Sequence, residues 1–264
     1  MKILLLSVLL LLAALIASLF GQGGGILYTP IQVLLGIPFK TAATTSLFLI
    51  MVMAFSSTIV FHSVQAVDWQ MAIAMETPTM VGAFLGGFIS DYFSNTLLIL
   101  ILVGLLVVAS FLMNKPPKEN IKKIKSPKKF WDWQRNRNSE TYNINILLLI
   151  PITLLIGFLT SLVGIGGGAI KVPMMVLLFG VPINIAIGSS AFMVGLTASA
   201  GMIGHITMGH WDWRISLILA IPVFIGGQMG SKLSTHIKQD KLRKWFSLFL
   251  IIIAALILIQ QIGI

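Results

Sequence analysis

Gly21-Gln22-Gly23-Gly24-Gly25 returns later in the chain as Gly164-Ile165-Gly166-Gly167-Gly168, and Pro30 returns as Pro173, both at an offset of 143 residues. The offset then becomes 144, at which Gly36 and Pro38 match Gly180 and Pro182, Ser46 matches Ser190 and Phe48 matches Phe192. In that register Asp68-Trp69 match Asp212-Trp213, Pro78 matches Pro222, and Gly82 and Gly86 match Gly226 and Gly230. A shared apolar bias aligns leucines with leucines, not glycines, prolines and Asp-Trp pairs, so the chain reads as an internal duplication.

The background of the repeat is apolar. Of 264 residues, 57% are hydrophobic and 10% charged, against roughly a quarter charged in a soluble domain. The stretches Ile3 to Phe39, Thr41 to Val67, Tyr92 to Asn114, Thr141 to Ile170 and Val172 to Trp211 carry no charge. Each exceeds the ~20 residues that cross a bilayer as helix. Outer-membrane strands show only ~10-residue alternation, so the expected fold is an all-α polytopic membrane protein whose helices satisfy their own backbone. Cysteine is absent, which excludes thiol relays and thiolate metal sites; no cofactor and no metal are expected.

The repeat divides the chain into a first transmembrane repeat, 1–113, a connector, 114–144, and a second repeat, 145–264. Each repeat reads as five apolar segments: about 3–20, 25–38, 41–62, 69–90 and 95–113, then 146–163, 168–181, 185–207, 213–233 and 245–262. Met1-Lys2 with the leucine-rich run after it looks like a signal peptide. Ile146 to Val163 fills the corresponding place in the second half, so segment 3–20 is expected to be a retained helix.

The connector carries nine of the 18 basic residues, between Lys115 and Glu140. Despite a net charge of +10, this placement reads as a positive-inside loop that can touch anionic lipid headgroups, and not as a nucleic-acid surface. It puts the connector in the cytoplasm of a multi-pass protein of the cell membrane. Segments 25–38 and 168–181 are short, and two topologies follow. If they cross, Lys232, Lys238, Lys241, Arg243 and Lys244 join the connector inside, and the halves are inverted repeats of five segments. If they are re-entrant, those residues face outward and the halves are parallel repeats of four crossings. The charge rule favours the first.

Three glycines in a row cost ~1 kcal/mol each in a plain helix. Their repetition predicts broken helices whose N-termini hold an anion with backbone N–H groups. Candidate binding residues are Gly23, Gly24, Gly25, Gly166, Gly167 and Gly168, joined by the hydroxyls of Thr45, Ser46, Ser189 and Ser190, which could otherwise act only as helix caps. Gly82, Gly86, Gly226 and Gly230 are expected to pack helices. Lone ionisable residues in apolar segments mark pathways or pairs: Lys171 is expected to attract the anion and Glu76 to carry a proton, with His62 and His205 as weaker proton carriers. His210 and most tryptophans read as interfacial.

These paired motifs, Gly-x-Gly-Gly-Gly with a following proline, a hydroxyl element at Thr44 to Ser46 or Gly188 to Ser190, Asp-Trp, and Pro-x-x-x-Gly-x-x-x-Gly, resemble the sulfite exporter TauE/SafE family over nearly the whole chain. The resemblance implies a secondary transporter of small sulfur-containing anions such as sulfite, sulfonate or sulfoacetate, working by alternating access. Thr44 stands where the second copy has Gly188, which leaves the equivalence of the two sites open. The alternatives are a non-transporting scaffold or accessory protein that uses the basic connector, and an intramembrane enzyme. The second has no support in a His-Glu-x-x-His, a Gly-x-Ser-x-Gly or a pair of intramembrane aspartates.

Overall fold

The computed structural model describes residues 2–89, 100, 103–104, 106–107, 110–111, 130–137, 140–162, 168–207 and 211–262. Its first half contains α1 (Lys2–Leu19), α2 (Gly25–Leu34), α3 (Phe39–Ser63) and α4 (Trp69–Ile89), followed by helical residues between Leu100 and Phe111. A hairpin of β1 (Asp132–Arg137) and β2 (Glu140–Asn145) leads directly into α5 (Ile146–Leu162). The second half continues with α6 (Gly168–Leu178), α7 (Ile183–Thr207), α8 (Trp213–His236) and α9 (Gln239–Ile262).

Helix boundaries follow local chemistry. α2 stops earlier than its apolar run because Gly36 turns the chain at φ 90° and Pro38 follows. Its 10 residues span about 15 Å at ~1.5 Å per residue. α9 starts at Gln239, before the apolar stretch expected from 245, with Asp240 in its first turn, where an acidic side chain suits the positive end of the helix. Pro78 and Pro151 lie inside α4 and α5. Nearby threonines donate to backbone carbonyls, Thr79 to Met75 at 2.6 Å and Thr153 to Leu149 at 2.7 Å, which keeps these hydroxyls satisfied in an apolar setting.

The hairpin is an addition to the expected all-helical plan. Its antiparallel register pairs Asp132 with Asn145 and Arg137 with Glu140. Tyr142 and Ile144 of β2 point into the apolar core, so the end of the connector is anchored to the helices.

Packing between the halves comes in matched sets. α4 lies along α5, and α8 lies along α1; α3 and α7 pack on each other, α3 also on α8 and α7 also on α4. Glycines allow the closest approaches. A Cβ at Gly82 would sit 1.9 Å from the Leu154 carbonyl oxygen, and one at Gly230 2.1 Å from that of Leu15. Serines also tie helices, Ser56 of α3 to the Phe224 carbonyl of α8 at 2.7 Å and Ser234 of α8 to that of Leu19 at 2.8 Å. Small residues with hydroxyl bonds are how helices associate where the hydrophobic effect gives no drive. Outward, large apolar side chains such as Leu4, Phe84 and Ile221 are exposed, as a lipid-facing belt requires. Among the described residues, three stretches, Thr44–Ser63, Ile183–Ala200 and Trp213–His236, are long and apolar enough to cross a membrane.

Direction is readable from contacts. Ala66, just past α3, meets Gly188 near the start of α7, and Ala54 within α3 meets Gly195 farther along α7, so these equivalent helices run antiparallel. The end holding the hairpin also holds the α3–α4 turn, through Arg135 and Asp68, and the start of α7, through the Asp68 amide and Ser189. Gly21 lies against Ile187 and Ser234 bonds to Leu19, which brings the α8–α9 turn to the same end. The start of α8 lies at the opposite end, where Ser216 reaches Thr45. The short α2, with its flanking turns, therefore carries the chain from the hairpin end to the opposite one.

Candidate functional site

α2 begins at Gly25, and its N-cap is Gly24 in the left-handed region, φ 74°. Glycine adopts that conformation at little cost, and a Cβ here would also meet the Tyr28 ring at 2.4 Å. No side chain caps this helix start; Leu27 N–H donates to the Gly24 carbonyl at 2.9 Å, whereas the N–H groups ahead of it have no acceptor within their own helix. α6 begins at Gly168, where a Cβ would lie 2.6 Å from Cα of Gln22. The start of α6 thus packs against the backbone of the first glycine motif, three residues before α2 begins. Gly23 sits near the centre of the bundle, between Val194 of α7 and Ile50 of α3.

Gln22 adds a side-chain donor. It is 4% exposed, and its Nε2 has no hydrogen-bond partner among the described residues. A buried amide without an acceptor is costly, whereas an anion at this point would receive it together with the helix N-termini. Ser190 joins the same place, its Oγ donating to the Gly21 carbonyl at 2.9 Å.

The other hydroxyls are engaged within the fold. Ser46 accepts from Thr29 at 2.9 Å and from Gln32 Nε2 at 2.8 Å, forming a polar cluster between α2 and α3. Ser189 accepts from the Asp68 amide at 3.0 Å, and Thr45 accepts from Ser216 at 3.4 Å. Both tie α3 or α7 to the Asp-Trp region of the other half. Gly166 and Gly167 lie outside the described residues.

Lys171 and Glu76, flagged separately in the sequence, form a pair. Lys171 Nζ lies 2.7 Å from Glu76 Oε2 and donates to Thr197 Oγ1 at 2.9 Å; Thr197 also bonds Glu76 Oε1. Both charged side chains are buried, at 0% and 1% exposure. The ammonium is therefore matched by a carboxylate, one of the two outcomes, pathway or pair, that lone intramembrane charges imply. His62 is exposed and accepts from Trp69 Nε1 at 3.3 Å, away from this pair. The His205 side chain lies outside the description.

A third polar centre sits under the hairpin. Asp68 caps α4 by accepting from the Met71 amide at 3.1 Å, and receives Arg135 Nη2 and the Tyr142 hydroxyl, each at 2.6 Å. Burial pushes its carboxyl up, but the bonds from Arg135, Tyr142 and Met71 outweigh it and hold Asp68 below the usual carboxylate range. Burial and the bond to Asp68 together push the Tyr142 phenol far up, and the carboxylate raises Arg135. This centre is an anchor in which every charge is answered.

Gln22 and Thr197 escaped the sequence reading. Gln22 stood inside the quoted motif, but its counterpart, Ile165, gave no polar signal. Thr197 corresponds to Met53 and is one threonine among many. Two lone intramembrane charges of opposite sign were the readable hint that Lys171 and Glu76 are partners. An apolar pocket of about 170 Å³ between α1, α2 and α8, lined by residues such as Leu6, Leu35 and Leu219, offers no polar group for an anion.

Comparison with known proteins agrees with this architecture. A family model described as sulfite exporter TauE/SafE matches residues 6–257. The chain is 28% identical to YunE of Bacillus subtilis, named a probable membrane transporter protein, over 99% of both chains. It is 27% identical to a probable membrane transporter protein of Methanocaldococcus jannaschii, over 88% of this chain and 86% of the relative. A Haemophilus influenzae protein with the same name is 27% identical over 92% of this chain and 93% of its own length. No solved structure matches. With the family model spanning almost the entire chain and relatives aligned from end to end, the chain belongs to the sulfite exporter TauE/SafE family and is a membrane transporter, not an enzyme.

Proposed function

We propose that this protein is a secondary transporter that moves a small sulfur-containing oxyanion, of the sulfite or sulfonate type, by alternating access between two inverted repeats. The observation that carries the reading is the contact of the α6 start, Gly168, with Gln22, two residues before the α2 N-cap Gly24, with Gln22 Nε2 buried there and unpartnered among the described residues. Such oxyanions have several acceptor oxygens and suit converging N–H donors. Gly23, Gly24, Gly25 and Gly168 would line the anion site with Gln22 and Ser190, and Gly166 and Gly167 would complete the second break. Ser46 would act through its cluster with Gln32, and Thr45 and Ser189 would hold the two halves together.

The antiparallel run of α3 and α7 supports the inverted arrangement, which lets the same site open to either side. Lys232, Lys238, Lys241 and Lys244 lie in or beside the α8–α9 turn at the hairpin end, and that common basic end would face the cytoplasm and its anionic lipids. Transport into proteoliposomes from a panel of sulfite, methanesulfonate, sulfate and acetate tests the function. Sulfite and methanesulfonate should accumulate above protein-free vesicles. Gln22→Leu should weaken apparent affinity about tenfold or more, the loss expected for a hydrogen bond to a charged ligand, and Gly24→Val should abolish flux. Absence of flux for every anion would overturn the reading.

A further inference from the structure

The Lys171–Glu76–Thr197 cluster has an internal control. At the repeat offsets its three positions correspond to Tyr28, Ala220 and Met53, and in the structure Tyr28 is fully buried with its hydroxyl 3.1 Å from Met53 Sδ. The fold thus fills one of two equivalent places with an uncharged trio and the other with a buried ion pair. Taking two charges out of water is costly, and a buried pair adds little net stability over apolar packing. Packing alone therefore does not call for the charges.

Their position links them to the anion site. Lys171 is one turn beyond Gly168 on α6, roughly 4.5 Å along the axis at ~1.5 Å per residue, while Glu76 is on α4 of the other half and Thr197 on α7. We infer that the cluster is a one-sided charge-exchange site, at which an incoming anion takes the place of Glu76 beside Lys171 while Glu76 takes up a proton. This rests on the anion-transport reading above and adds its coupling. The bound proton comes from the water on the side to which the site is open. Before binding, the ammonium is neutralised by the carboxylate; afterwards it is neutralised by the anion, and the carboxylic acid is neutral. No net charge enters the apolar interior, and one proton moves with each monovalent anion.

Thr197 fits both states. Its hydroxyl bonds the Glu76 carboxylate, and it also lies 3.1 Å from the Met193 carbonyl. It can donate to the carboxylate, or accept from the carboxylic acid while donating to Met193. The surroundings leave Glu76 as the group that changes protonation. α4 carries no other titratable residue, α5 carries none, α6 carries only Lys171, and α7 carries only His205 near its far end. Asp68 and Arg135, at the start of α4, are paired with each other.

The test uses the purified full-length protein in liposomes, a pH dye in the lumen, and methanesulfonate, which stays fully ionised and carries no proton of its own. An inward methanesulfonate gradient should acidify the lumen, and a potassium-diffusion potential should leave the flux unchanged. Glu76→Gln should uncouple transport: remaining flux should not acidify the lumen and should follow the imposed potential. Because that variant leaves Lys171 without its partner, a second one copies the other half, combining Lys171→Tyr, Glu76→Ala and Thr197→Met. It should fold and give at least a tenfold loss of flux. Wild-type methanesulfonate flux that is driven by potential without acidification would overturn the coupling while leaving the transport reading intact. Full proton-coupled flux in the triple variant would also overturn it, and no flux of any anion in the wild type would overturn both.

Discussion

Asp68 and Asp212 occupy the same place in the two copies of the Asp-Trp motif, yet their surroundings differ. Asp212 caps α8 by accepting from the Arg214 and Ile215 amides at 3.0 and 3.1 Å. Asp68 caps α4 and also holds Arg135 and Tyr142 of the hairpin. Asparagine caps a helix about as well as aspartate, so Asp212→Asn should be nearly neutral. Asp68→Asn should cost roughly 1–3 kcal/mol, because it removes the charged partner of a half-buried arginine. Thermal unfolding in detergent checks this, and equal losses in the two variants would refute it. The sign of the pH effect follows from the lowered Asp68 carboxyl. A depressed acid stabilises the folded state at all pH above its unfolded value, ~3.9, and loses that contribution as pH falls through the lower folded value. Hydrogen exchange across residues 132–145 should therefore show constant protection from pH 8 to about pH 5 once intrinsic rates are corrected, with release only below about pH 4.

Pairs of helices depend on glycines used as contact surfaces. At Gly230 an added Cβ would strike the Leu15 carbonyl at 2.1 Å, whereas at Gly104 it would meet none of the described residues within 4 Å. Gly230→Ala should push α1 from α8 and destabilise by ~1–3 kcal/mol. Gly104→Ala should be neutral or stabilising by up to ~1 kcal/mol through helix propensity. Unfolding midpoints in a common detergent measure both, and a stabilised Gly230→Ala would show that the seam is not close-packed. The spacing of Gly82, Gly226 and Gly230 had already indicated packing, and their contacts agree; Gly86 has no described surroundings. Element ends were harder to read. The hairpin carries no long apolar run, and the alternation that buries Tyr142 and Ile144 covers too few residues to stand out in a basic connector. α9 extends into the charged segment because a helix needs only internal hydrogen bonds, not an apolar surface, once it leaves the hydrocarbon.

The chain as a whole has two ends, and the contacts place the hairpin and the α8–α9 turn at the same one. The native protein lacks cysteine, so single replacements can be labelled without background. In sealed vesicles Asn136→Cys and Lys238→Cys should react with an impermeant maleimide from one side, and Ile37→Cys from the other. Labelling of Asn136→Cys and Lys238→Cys from opposite sides would contradict the proposed inverted arrangement with an odd number of crossings in each half. The sequence by itself determined the membrane class, the duplication, the glycine breaks and the lone intramembrane charges, because apolar run length and the backbone demands of glycine and proline are local properties. Tertiary structure alone decided that the α6 start packs against Gln22, that Lys171 is answered by Glu76 from the other half, and that the connector folds back onto Asp68. Each of those joins residues from different elements, and which side chain meets which depends on how the helices pack across the duplication, something no local pattern contains.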